Sequence, residues 1–417
     1  MASWFVINPG WGRGVPIPFS QGVEPKVRET NLPFWQRLTS LVLAVSLATT
    51  AVSLATAARA EKVPSPPEIN GDAAFLMDYH SERALAAQEA TEPRPPASLA
   101  KMMTLYTAFR AIEDGSVAMD ETVRVSEKAW QTKGSRMFLE VGDEVPLKRI
   151  IKGVIVESGN DACVALAEHV AGTEKAFVQL MNSHARELGL SDSHFANATG
   201  LPAEGQKTTA RDMAHLAAAL LREFPQHYSM FAIRKMTYND ITQYNRNRLM
   251  WWDDSVDGIK TGHTEEAGYH LTASAKRDGM RLISVVMGTP SERARAEASQ
   301  SLLNHGFRFY RTYKLYEAGE SLHKVQVWKG AQDQVAVSLQ NDLYMTLPRG
   351  KRDQVEVTLD FSEPLTAPVA KGAEVGQLTA KLGDRALATR PLTTLNEVPE
   401  GGFFGRMIDS IRIWLTE

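Results

Sequence analysis

The stretch Ala97-Ser98-Leu99-Ala100-Lys101-Met102-Met103-Thr104-Leu105-Tyr106-Thr107-Ala108-Phe109-Arg110-Ala111-Ile112-Glu113-Asp114-Gly115 is apolar nearly all round a helical projection. A helix of that kind cannot rest on a surface by one face, so the stretch predicts a buried helix running from Ser98 to a stop at Asp114-Gly115. At its start a hydroxyl and an amine, Ser98 and Lys101, stand three residues apart, on one face and within mutual reach. A serine is a weak nucleophile at neutral pH, and a lysine serves as its base only where burial or a nearby cation favours the free amine. Pro95-Pro96-Ala97 fixes the entry to the helix, whose first amide, that of Ser98, can face a developing oxyanion. S-x-x-K alone is common by chance, so its meaning depends on what accompanies it.

Working outward, Pro64 to Pro67 form a stiff linker, and Ala73 to Tyr79 with Ala84 to Glu89 read as a short hairpin. Further helices are expected at about Leu147 to Val154, Asp161 to Ala171, Glu174 to Leu188 and Ala210 to Glu223. Ile259, Tyr269 to Ala275 and Arg281 to Met287 read as strands, the last two joined by a turn at Lys276-Arg277-Asp278-Gly279. Helices enclosed between flanking strands give the fold class as α/β (α+β), an antiparallel sheet backed by a helical subdomain. After Tyr313 the helical period fades, and Val325 to Val327, Val335 to Leu339, Tyr344 to Leu347 and Val355 to Leu359 alternate as half-buried strands do. This small β domain holds no constellation of acid, base and nucleophile, and scaffold or spacer is its expected role.

The tail differs again. Phe403, Phe404, Met407, Ile408, Ile411, Trp414 and Leu415 share one helical face, with Arg406 and Arg412 elsewhere. The helix is too short to span a bilayer and suits the membrane interface, with packing on the protein's own core as the alternative. Gly401-Gly402 before it reads as a hinge. At the other end, Arg37, an uncharged apolar run from Leu38 to Ala58, and Ala58-Arg59-Ala60 fit a signal peptide cleaved before Glu61. The run is also long enough for an uncleaved anchor. Either way the body of the protein is expected across the membrane. The boundaries expected are 1–60 for the extension and signal peptide, 61–312 for the first domain, 313–398 for the β domain and 399–417 for the amphipathic helix.

A net charge of -3 lacks the basic footprint of sequence-independent nucleic-acid binding, so no nucleic acid is expected as a partner. The single cysteine, Cys163, cannot close an internal disulfide, and no Cys/His cluster has zinc spacing. A structural metal is not expected.

Two further motifs accompany Ser98. Ser158-Gly159-Asn160 lies between two apolar helical stretches. Its hydroxyl can relay a proton between nucleophile, lysine and leaving amine, and Asn160 can hold the lysine and a substrate amide, although a helix cap would use the same residues. Lys260-Thr261-Gly262 reads as an edge strand that pairs with an extended peptide. Thr261 and a cation bind the peptide's carboxylate, and Gly262 permits close approach; a solvated edge strand is the alternative. S-x-x-K, a serine-asparagine motif and K-T-G in this order form the signature set of class A β-lactamases and penicillin-binding proteins.

From Ala73 onward the chain closely resembles the low-molecular-mass penicillin-binding proteins, specifically D-alanyl-D-alanine carboxypeptidases of the penicillin-binding protein 5 and 6 type. The likeness is carried by Pro96 to Thr104, Glu157 to Cys163, Asp257 to Thr264, Gly306-Phe307-Arg308-Phe309 and Gly402-Phe403-Phe404-Gly405. It implies a transpeptidase-like catalytic domain, a β-rich second domain holding it off the membrane and a terminal anchor helix, with no metal or organic cofactor. It implies that Ser98 is acylated, that Lys101 is its base, and that Ser158, Asn160 and Lys260 complete the proton and hydrogen-bond network. The amides of Ser98 and His263 would form the oxyanion hole, and Thr261, Gly262, His263, Arg246 and Arg295 would bind substrate, the arginines at its terminal carboxylate. Trp251-Trp252 stands where the family pattern has one tryptophan. Lys133 to Leu139 occupies the place of a loop at the rim of the site and is expected to influence release of the acyl group. Cys163, one helical turn beyond Asn160, reads as a small buried side chain.

The implied reaction is removal of the terminal D-alanine from peptidoglycan stem pentapeptides, with β-lactam antibiotics acylating the same serine. The implied location is the periplasmic face of a bacterial inner membrane, with a role in cell-wall biogenesis and cell shape. A β-lactamase would need a deacylating base, and no Glu-x-x-Leu-Asn segment lies between the second and third motifs. A crosslink-cutting endopeptidase is disfavoured by a carboxylate-binding arginine, and a non-catalytic wall-binding protein by the intact Ser98, Lys101 and Lys260.

Overall fold

Ala73–Asp78 (β1) is buried at every position, because its two faces meet different cores. Ala73, Phe75 and Met77 enter a core shared with the helical subdomain, while Ala74 and Leu76 enter a second core. That is why this segment reads as a continuous apolar run and not as an alternating one. Ala84–Gln88 (β2), Val256–Thr264 (β3), Gly268–Arg277 (β4) and Met280–Thr289 (β5) complete a five-stranded sheet in the order β2-β1-β5-β4-β3, antiparallel throughout. The first strand and the last therefore lie side by side at its centre, and β3 forms an edge. The turn between β4 and β5 is shorter than expected. Asp278 and Gly279 alone connect the strands, both at positive φ (48° and 81°), as a type I′ hairpin requires.

The structure, a computed structural model, describes residues 26–27, 63–361 and 365–416. Arg37, the apolar run to Ala58 and the expected cleavage after Ala60 lie outside the described residues. Among the described residues two compact units are present, one of residues 63–313 with Tyr344–Gly350, the other of Lys26–Val27, Lys314–Leu343 and Lys351 onward.

In the first unit the helical subdomain comprises Lys101–Glu113 (α1), Leu147–Val156 (α2), Asn160–Ala171 (α3), Glu174–Glu187 (α4) and Ala210–Glu223 (α5). Thr173 and Thr209 cap α4 and α5 by accepting the amides of Ala176 and Asp212. The eighteen-residue helix Glu292–Phe309 (α6) covers the other face of the sheet with Leu302, Leu303 and Phe307. Its sequence is rich in Arg and Glu and its buried stripe includes Ala296, Ser299 and Gly306, so periodicity alone gave it no helical reading. Gly306 is required there, since a Cβ would sit 2.5 Å from Leu282 Cδ1.

In the second unit Val355–Phe361, Glu374–Leu382, Arg385–Thr394, Gln334–Ser338 and His323–Trp328 pair successively, all antiparallel. Lys26–Val27 adds in parallel beside Val355–Phe361. Leu343–Pro348, most of which falls in the first unit, lies outside this sheet and pairs with Tyr310–Tyr316. The terminal helix Phe403–Thr416 exposes Phe403, Phe404, Met407, Ile408 and Ile411, the two phenylalanines at 69% and 75%. Its Asp409 accepts the amide of Lys329. Gly401, expected to form part of a hinge, is instead tied down: its amide donates to the Lys329 carbonyl, and a Cβ would sit 2.5 Å from the Gly330 carbonyl oxygen. No helix among the described residues is long and apolar enough to cross a membrane.

Candidate active site

Ser98 does not open an α-helix. It lies in a 3₁₀ turn, Ala97–Ala100, that leads into α1. In that geometry residues three apart eclipse one another, so the spacing to Lys101 works more directly than an α-helical start would allow. Lys101 Nζ lies 2.9 Å from Ser98 Oγ, and it donates to Asn160 Oδ1 at 2.8 Å and to the Thr199 carbonyl. Two acceptors thus claim two protons of the amine. The remaining tetrahedral position faces the serine, and in the free amine that position is the lone pair, ready for the serine proton.

Burial drives Lys101 toward that state. Its side chain is fully enclosed, and desolvation lowers its pKa to about 8, assisted by the Arg246 charge and opposed by Cys163. Lys260 is also buried, and desolvation together with the charge of Lys101 holds its pKa well below the ordinary lysine value. Lys260 donates to Ser158 Oγ at 3.0 Å and to its neighbour's carbonyl at Thr261. The hydroxyl of Ser158 is therefore held by Lys260, on a backbone at φ 63°, a conformation that costs a non-glycine residue about 1–2 kcal/mol.

The edge strand β3 approaches the serine turn closely. A Cβ on Gly262 would meet the Pro96 carbonyl at 3.2 Å and the Leu99 amide at 3.3 Å, so glycine sets the width of the gap. A cleft of about 240 Å³ opens there, lined among others by Ser98, Ser158, Asn160, Thr261, Gly262 and His263, with Arg246 and Arg295 at its end. The ring of His263 stacks on Tyr269 at 3.9 Å. Arg295 is 3% exposed. It donates to the Gly262 and Arg246 carbonyls and lies over the Tyr269 ring, and burial lowers its pKa to about 10. Arg246, half exposed, pairs with Glu157 beside the second motif, and Arg248 pairs with Glu292. Cys163 is fully buried and burial pushes its thiol up to about 12, so it lies beside the lysines as an inert side chain.

Several contributors were not read from the sequence. Thr199 supplies a carbonyl to Lys101, and Asn197 shapes that loop by accepting from Thr199 N, Thr199 Oγ1 and Gly200 N. Asn197-Ala198-Thr199-Gly200 carries an Asx-turn signal that could have marked it. Gly200 stands at φ 81°, where a Cβ would lie 1.9 Å from the Ala97 carbonyl oxygen. Asp161, buried, accepts the amides of Met137, Phe138 and Leu139 and so clamps the rim loop, while the Lys133 carbonyl of the same loop accepts from Asn160 Nδ2 at 2.6 Å. His270 is neutral, its pKa lowered to about 4 by burial. It donates through Nε2 to the Pro95 carbonyl and accepts at Nδ1 from Gly288, which anchors the serine turn to the sheet.

Residues 60–291 match the family model described as D-alanyl-D-alanine carboxypeptidase, and residues 310–400 match that of the penicillin-binding protein 5 C-terminal domain. The D-alanyl-D-alanine carboxypeptidase DacA of Escherichia coli (strain K12) is 43% identical over 361 residues, 84% of this chain and 89% of that protein. The crystal structure of penicillin-binding protein 5 from Haemophilus influenzae superposes with a TM-score of 0.78 at 38% identity, covering 81% of this chain and all of that one. Penicillin-binding protein D2 of Listeria monocytogenes in its ampicillin-bound form covers 58% of this chain, with a TM-score of 0.54 at 25% identity.

Proposed function

Because the chain belongs to the D-alanyl-D-alanine carboxypeptidase family and is a serine-type enzyme of that activity, we propose that it trims the terminal D-alanine from peptidoglycan stem pentapeptides through an acyl-enzyme on Ser98. The observation that carries this reading is the fully buried Lys101 amine 2.9 Å from the serine oxygen, with its pKa lowered to about 8 by burial. In the proposed sequence Ser98 Oγ bonds to the carbonyl carbon between the two D-alanines as its proton passes to Lys101. The amides of Ser98 and His263 stabilise the oxyanion. The C–N bond then breaks, the proton reaching the departing D-alanine amine by way of Ser158. Water hydrolyses the ester and restores Ser98.

Asn160 holds Lys101 and the substrate amide, while Lys260 keeps Ser158 oriented. The substrate lies along β3 across Gly262, and its terminal carboxylate meets Thr261, Arg246 and Arg295. β-Lactams acylate the same serine, a reading supported by the ampicillin-bound relative. Ser98→Ala should abolish both D-alanine release and covalent labelling by a fluorescent penicillin. Labelling that survives the substitution would overturn the assignment of the nucleophile.

The same reading takes 61–312 as the catalytic domain, 313–398 as the β domain and 399–417 as a helix seated in the membrane interface, with residues 1–60 as extension and signal peptide. Support for the interface helix comes from its exposed Phe403, Phe404, Met407, Ile408 and Ile411. The protein then acts at the periplasmic face of the inner membrane, in cell-wall biogenesis and cell shape.

A further inference from the structure

A cavity of about 500 Å³, twice the volume of the serine cleft, is lined by Arg277, Arg308, Arg311 and Arg349 with Asp278, Asn304, Met280 and Phe307. It lies at the β4–β5 turn. Along β4, Arg277 is seven residues beyond His270, the partner of Gly262, which puts it roughly 24 Å from the reaction. Its residues therefore take no part in the chemistry above.

The charge balance there is uneven. Arg277 pairs with Asp253 at 2.5 Å and is neutralised. Arg308, Arg311 and Arg349 pair with no carboxylate among the described residues, and of the lining residues only Asp278 opposes them. Like charges gathered round one concavity repel, and such an arrangement invites an anion. Part of the cluster serves the fold. Arg349 donates through Nε and Nη2 to the Phe307 carbonyl, satisfying the C-terminal turn of α6. Arg308 and Arg311 do not share that structural role. They lie over the rings of Phe309 and Tyr313, contacts that steady a guanidinium without neutralising it. Met280 and Phe307 are buried, and the Arg277 guanidinium lies over the Phe307 ring, so the arginines dominate the open surface of the concavity.

We infer that this concavity is a second binding site, for a phosphate group, in which Arg308 and Arg311 grip the phosphate oxygens. Guanidinium forks match phosphate oxygens two at a time, and several unpaired arginines suit a tetrahedral anion that offers acceptors in every direction. The same chemistry is offered by a free phosphate and by a phospholipid headgroup.

The test titrates the full-length protein with inorganic phosphate, with monomeric dihexanoyl phosphatidylglycerol and with dihexanoyl phosphatidylcholine, followed by calorimetry. Saturable binding is expected, weakened at least tenfold in Arg308→Glu/Arg311→Glu, with kcat/KM for D-alanine release unchanged. Tighter binding of phosphate assigns the site to a soluble ligand; tighter binding of phosphatidylglycerol than of either other probe assigns it to an anionic headgroup. In wild-type protein the better probe should also protect Arg308 and Arg311 from phenylglyoxal, read by mass spectrometry, a measurement that does not depend on a variant's folding. No saturable binding, binding that survives the double substitution, or unprotected arginines would each overturn the site and leave the cluster as a cap on α6.

Discussion

Gly200→Ala tests whether the Thr199 loop sets the basicity and position of Lys101. At φ 81° an alanine is strained by about 1–2 kcal/mol, and its Cβ would lie 1.9 Å from the Ala97 carbonyl oxygen. Both groups are backbone, so no rotamer change relieves the contact. The loop or the serine turn must retreat by about 1 Å to reach the 3.0 Å below which Cβ atoms are essentially not found. That retreat carries the Thr199 carbonyl away from Lys101, or Ser98 away from its base. Misplacement of about 1 Å costs roughly 100-fold in rate where reacting groups are held in line. Strain alone should lower Tm by roughly 2–8 °C in a domain of this size. The assay is the acylation rate by a fluorescent penicillin, followed with pH, beside a thermal melt. Acylation should fall about 100-fold in a protein that still melts cooperatively. Where Thr199 is the group lost, the midpoint of the pH profile should also move down, since an acceptor that favours the ammonium has gone. Wild-type acylation at an unchanged midpoint would mean that the Thr199 loop sets neither the basicity nor the position of Lys101.

With the free amine of Lys101 as the proposed base and its pKa depressed to about 8, acylation should rise about tenfold per unit from pH 6 and level off above pH 8, measured as kcat/KM on a D-Ala-D-Ala peptide. A pH-independent rate over that window would count against Lys101. The same shift, from 10.5 unfolded to about 8 folded, means that the unfolded chain binds the extra proton between those values. Stability from this group should therefore be complete above 10.5 and decline as pH falls toward 8, read by denaturant titration. Asp161→Asn replaces one of the carboxylate oxygens that hold the rim loop, and should lower stability by about 1.5–3 kcal/mol. It should also change deacylation of a bound penicillin more than acylation; equal effects on both would mean that the loop does not act on release. Replacing Phe403, Phe404 and Ile411 together by Ser should abolish co-sedimentation of the mature protein, without its leader, with anionic vesicles. Unchanged binding would sink the interface helix.

Motif order was legible because the chemistry needs particular residue types. Ser98 and Lys101 set a hydroxyl and an amine three residues apart, and a 3₁₀ turn brings that spacing into contact more directly than an α-helix. The helices α2 to α5 were legible for a different reason, since each buries a continuous stripe. α6 was not, because Ala296, Ser299 and Gly306 bury small side chains that carry little hydrophobic signal. Glu374–Leu382 and Arg385–Thr394 escaped as well, since much of the second strand is exposed and Pro391 interrupts its pattern.

The candidate site side chains, the fold class and the family resemblance were legible from residue identity and short spacing alone. The state of those side chains depends on how distant segments pack. The lowered pKa of Lys101 comes from enclosure by α1, α3 and the Thr199 loop, whose residues lie as much as 98 positions away along the chain. The carbonyl of Thr199, the clamp of Asp161 and the anchoring of Pro95 by His270 act through backbone atoms that every residue possesses. A backbone carbonyl has no signature in a sequence, and its place is fixed only when distant segments pack together.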